Sequence, residues 1–187
     1  MKIYSTQKEE IATIKKRNIS ISLSDADCER LAIKAGLVGL TVDELLHNFI
    51  GDLVDGTYSN GSDERMLADE WYKRCWFSLD SEEILLNFLL NCPSYSVFYG
   101  SSRNVKSLID YYDEVQRLKA SIAYAKEFPE DCKNNIQSLE EDLEDNLLYY
   151  HCYVDEFLEE HPDADIEKEI TLCRKWLNEY EEITQTE

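Results

Sequence analysis

Lys15, Lys16 and Arg17 stand side by side ahead of an alternating stretch, NISISLS, over residues 18–24. Three adjacent cations can each neutralise a nucleic-acid phosphate and release its condensed counterions. In the alternation, Ile19, Ile21 and Leu23 share one face of a strand, and Asn18, Ser20 and Ser22 share the other. The polar trio can hydrogen-bond, but only Asn18 belongs to the side chains that read a base edge strongly. A second charged group lies far down the chain. Glu140, Glu141, Asp142, Glu144, Asp145, Asp155, Glu156, Glu159 and Glu160 crowd one helical stretch. Acids one helical turn apart lie about 5 Å from each other, near the spacing of backbone phosphates. Such a face can compete for a basic nucleic-acid channel, with an affinity that falls steeply as salt is added.

These two groups sit in opposite fields. Residues 1–20 hold five basic and two acidic side chains, whereas residues 131–187 hold four basic and eighteen acidic ones. The whole 187-residue chain carries a formal charge of −20. That charge repels DNA over distances near a Debye length, so a short basic segment must overcome it. Twelve Tyr, six Phe and three Trp are too many aromatics for a disordered acidic chain.

Enzymatic chemistry finds no constellation. The chain lacks a Gly-rich phosphate loop, a nucleophile elbow and a calcium-binding loop. Of the three histidines, His47 lies inside a helix beside its apolar stripe. His151 and its neighbour Cys152 point to different sides of a helix, and His161 precedes Pro162 in a turn. No enzyme, no metal and no cofactor are expected. The six cysteines include no CxxC pair, which fits free thiols in a cytoplasmic protein. No secretory leader and no membrane span are expected.

The elements that must position these groups are mainly α. Ser24 or Asp25 can cap a helix that runs to about Ala35 and stops at Gly36. Thr41, with Glu44 three residues on, forms a capping box for a second helix with a wide apolar stripe. Residues 55–64, DGTYSNGSDE, are loop by composition. Ser62 can cap a helix through MLADEWYKRCWF, and Asp80 or Ser81 another through EEILLNFLLNC, ended by Pro93. From about Asn104 the apolar residues Leu108, Tyr111, Val115, Leu118, Ile122 and Ala125 form a heptad seam. Pro129 marks a turn, with a new helix starting at Glu130 and Asp131. A second seam runs from Ile136 through Leu143 and Tyr150 to Phe157, giving a long antiparallel hairpin. Ile166, Ile170, Cys173, Leu177 and Tyr180 support a final helix lying across that hairpin. The expected regions are residues 1–55, a two-helix middle over 56–103, and the acidic hairpin with its last helix over 104–187.

The order strand, helix, Gly-containing turn, helix over residues 16–54 resembles the ribbon-helix-helix family. The resemblance implies a homodimer whose two strands pair into a ribbon that enters the major groove of DNA. It places Asn18, Ser20 and Ser22 at the base-reading positions and offers the helix start at Thr41 and Val42 to a phosphate. Lys15, Lys16 and Arg17 add phosphate contacts. The turn LVGL is longer than the family usually shows, and residues 1–55 hold seven basic against nine acidic side chains. In size and charge the whole chain is similar to small acidic inhibitors of phages and mobile elements, anti-CRISPR proteins among them. Two functions are therefore expected. The first is a non-enzymatic inhibitor whose acidic face, Glu140 to Glu160, occupies the basic DNA or RNA site of a partner such as an RNA-guided nuclease. The second is a ribbon-helix-helix transcriptional regulator.

Overall fold

The computed structural model describes residues 7–79, 83–91, 102–129 and 136–185. The protein is mainly helical, with no strand among the described residues. The expected caps at Asp80 or Ser81, the stop at Pro93 and the helix start at Glu130 and Asp131 lie outside them. The chain divides into two compact units, Tyr4–Glu82 and Glu83–Glu187. The expected 56–103 region is thereby shared between them.

The first unit contains α1 (Gln7–Ile11), α2 (Asp25–Gly36), α3 (Val42–Leu53), α4 (Ser62–Arg74) and α5 (Trp76–Leu79). The short α1 has no counterpart in the sequence reading. Ser24 caps α2 by accepting a hydrogen bond from the Asp27 backbone N–H at 3.2 Å. That helix ends at Gly36, as expected, and the left-handed residue is Gly39 in the turn that follows, at φ 76°. Two backbone bonds, Leu40 N–H to Ala35 C=O and Gly39 N–H to Gly36 C=O, close the helix end around it. The four residues LVGL thus form the whole turn between α2 and the cap at Thr41. Further along, a Cβ on Gly51 would fall 1.7 Å from the Tyr58 carbonyl oxygen, so the loop can close onto α3 only over a glycine. Asp52 fastens that loop by accepting two 2.8 Å bonds from Asn60, which hold its carboxyl below the usual carboxylate range. Ser62 opens α4 as its first residue, and Gly61 takes the capping position. The expected single helix through Phe77 is interrupted by extended backbone at Cys75.

The second unit contains α6 (Leu85–Asn91), α7 (Ser102–Glu127), α8 (Ile136–Glu160) and α9 (Ile166–Gln185). Both heptad seams face inward. Leu108, Val115, Leu118, Ile122 and Ala125 of α7 are buried, as are Val154 and Phe157 of α8. The pair is antiparallel. Lys126 bonds Glu140 at one end, and Tyr111 stacks on Tyr149 and Tyr153 at the other. α9 does not lie across this hairpin. It runs along α7 in the opposite direction, since Arg174 grips Asp113 with two bonds of 2.9 and 2.6 Å while Lys106 reaches Glu181. An i, i+3/i+4 apolar stripe of Ile170, Cys173 and Leu177 requires that alignment to reach the core. α6 closes the bundle with Leu85, Leu86 and Leu89, and its first N–H is satisfied by Glu169 at 2.9 Å.

Burial pushes the Cys173 thiol up to about 12. At pH 8 a thiol reagent is expected to modify the exposed Cys28 and Cys152 while sparing Cys173, as peptide mass mapping of the native protein would report.

Candidate nucleic-acid interface and acidic face

Between α1 and α2 the backbone has no regular element from Ile14 to Ser24. Lys15, Lys16, Arg17, Asn18, Ser20 and Ser22 are all exposed on it. So are the apolar residues of the alternation, with Ile19 at 56%, Ile21 at 59% and Leu23 at 47% exposure. No backbone–backbone hydrogen bond joins residues 18–23 to any described residue. The strand expected over residues 18–24 is therefore not formed within the chain, and its exposed backbone groups are left to water.

The helices behind it share that deficit. Among the described residues of this unit, Ala35 and Ala68 are the only buried apolar side chains. Ile33, Leu37, Val38, Phe49, Ile50 and Val54 stand exposed on α2, its C-terminal end and α3. Two short capped helices with this little core bury too few apolar groups to offset the entropy of ordering them.

Thr41 is where the sequence placed it, but its donors are engaged. The Thr41 backbone N–H donates to Glu44 Oε2 at 2.8 Å and its hydroxyl donates to the same oxygen at 2.9 Å. In return the Glu44 N–H donates to Thr41 Oγ1 at 3.2 Å. These bonds hold the Glu44 carboxyl below its usual range. A phosphate approaching this helix start must therefore displace or pass a charged carboxylate. Thr41→Ala is expected to lower the stability of the first unit by about 1 kcal/mol, read from thermal unfolding followed by circular dichroism.

All nine acids of the expected partner face are exposed on α8. Glu140 pairs with Lys126, Glu141 accepts from Gln137, and Asp155 lies 2.8 Å from His151 Nδ1. The face is divided. Between Asp145 and Asp155 the helix carries no acid for about 15 Å, and Leu148, Tyr149, His151 and Cys152 are exposed there instead. The charge forms two clusters at the helix ends rather than one continuous phosphate-like line. One grouping escaped the sequence reading. Glu83, just ahead of α6, lies close to Glu160 and His161 at the end of α8. Residues so distant in the chain leave no spacing signal.

No helix among the described residues is long and apolar enough to cross a membrane. No family model matches the chain, and no curated protein or solved structure matches it either.

Proposed function

We propose that the protein is a homodimeric ribbon-helix-helix regulator that binds double-stranded DNA through residues 15–22. One observation carries this reading. An exposed segment of alternating polar and apolar residues, with no regular element of its own, precedes two capped helices that have almost no core of their own. A second copy satisfies both deficits together. Antiparallel pairing of residues 18–24 supplies the missing backbone partners and turns Ile19, Ile21 and Leu23 of both chains inward, onto α2 and α3. The pairing leaves Asn18, Ser20 and Ser22 outward, with Lys15, Lys16 and Arg17 at the ribbon ends.

The serines supply little discrimination, so phosphate contacts dominate affinity. Six cations in a dimer give a slope of log Kobs against log salt of about −5. Gel shifts against genomic fragments at low and moderate salt test this directly. Arg17→Ala is expected to weaken binding to all sequences and reduce the slope by about 2, whereas Asn18→Ala relaxes sequence preference. Absence of any duplex binding at low salt overturns the reading.

The exposed acids of α8 favour a second reading, that of an acidic inhibitor of a basic nucleic-acid-binding protein. The break in its charge makes α8 a poorer stand-in for a duplex backbone. Neutralising Glu140, Glu141, Asp142, Glu144 and Asp145 as a group separates the two readings, since only an inhibitor loses its activity by it.

A further inference from the structure

We infer that Glu83, Glu160 and His161 form a binding site for a divalent ion of the zinc class at the C-terminal end of α8. One ligand atom from each lies within 4.8 Å of the other two. Carboxylates alone would mean little on so acidic a chain; the imidazole is what marks this place. His161 Nε2 is shielded from solvent and makes no hydrogen bond, although the side chain as a whole is 33% exposed. Glu83 Oε2 stands 3.5 Å from it, beyond the usual length of such a bond. A shielded ring nitrogen without a hydrogen bond is costly, and a metal ion is one group that satisfies a neutral imidazole's lone pair.

The ring is also held in place. It packs against the Phe157 ring at 4.7 Å between centroids, and Phe157 is itself 1% exposed. The His161 backbone N–H closes the last turn of α8 on Phe157 C=O, and its C=O accepts from Ala164. The imidazole therefore sits at the negative end of a 25-residue helix, which favours a cation. One nitrogen and two carboxylates suit Zn²⁺, with water completing four-coordination. Binding requires the exposed Glu160 and Glu83 carboxylates to close in from separations of up to 4.8 Å. The ion would tie the entry to α6 to the end of α8, a structural clip rather than a catalytic centre.

The test is a Zn²⁺ titration of the ¹⁵N-labelled full chain, read at the imidazole nitrogens, which separates this site from zinc bound at exposed cysteines. One equivalent is expected to shift His161 Nε2. Glu83→Gln and Glu160→Gln should each weaken that response about tenfold or more, the scale seen when even an outer partner of a metal ligand is lost. A His161 Nε2 signal unmoved by excess Zn²⁺, or variants that respond as tightly as the parent, overturns the site and leaves a plain His161–Glu83 ion pair.

Discussion

Ile21→Asp is expected to split the proposed dimer and abolish the proposed duplex binding together. In the single chain Ile21 is exposed, so the substitution disturbs nothing within one copy. Across a ribbon each Ile21 is buried against its partner's helices, worth about 1.5–3 kcal/mol per side chain. Two copies change at once, and two carboxylates enter an apolar layer where each must be desolvated. The dimer dissociation constant should rise by about 100-fold or more, since about 1.4 kcal/mol is a factor of ten. Light scattering should then report one chain of 21.9 kDa rather than two. Ser20→Asp provides the contrast. It places the same charge on the outward face, so the dimer should persist while DNA affinity falls. If both variants keep the parent's mass and affinity, the pairing scheme is wrong.

Phe157→Ala is expected to cost about 3–5 kcal/mol, the usual range for emptying a buried aromatic site. Phe157 is fully enclosed, and its ring meets Phe88 of α6 at 5.9 Å between centroids. Domains of this size hold only about 5–15 kcal/mol in total, so the loss is a large fraction. Urea denaturation followed by circular dichroism should show a much lower midpoint. Leu148→Ala, on the exposed side of the same helix, should change stability by no more than about 0.5 kcal/mol. An equal shift in the two variants would contradict the inward orientation of the α8 seam.

Much of the helical layout could be read from local signals. Ser24, and Thr41 with Glu44, mark helix starts through side chains that bond backbone within three residues, so no distant partner is needed. The heptad seams of α7 and α8 were equally legible, because a shared core imposes a period on each helix separately. The end of α2 at Gly36 was legible too, but only the backbone shows that Gly39 is the glycine that turns left-handed. Other helix ends were less so. The break at Cys75 has no glycine or proline to announce it. The course of α9 along α7 depends on Arg174 meeting Asp113, and the Glu83–His161 grouping on a similar long-range approach. Such contacts are products of the fold and carry no local period. The alternation at 18–24 pointed to a strand, but these residues form none within the chain, since period-2 patterning marks a face without supplying a hydrogen-bonding partner.

Two fields of opposite sign remain on one chain. Lys15 to Arg17 attract a duplex, while the acid of the last third repels it, and both effects weaken as salt rises. The repulsion by a chain of net charge −20 reaches farthest at low salt, where the attraction of the basic segment is also strongest.

Hydrogen exchange at the backbone amides of residues 18–24 in the full-length protein tests the paired ribbon most directly. A ribbon predicts slow exchange at alternate amides, those that donate across the two-fold axis, with protection lost on dilution below the dimer dissociation constant. Exchange of all these amides at the rate of an unstructured peptide, at any protein concentration, would contradict it.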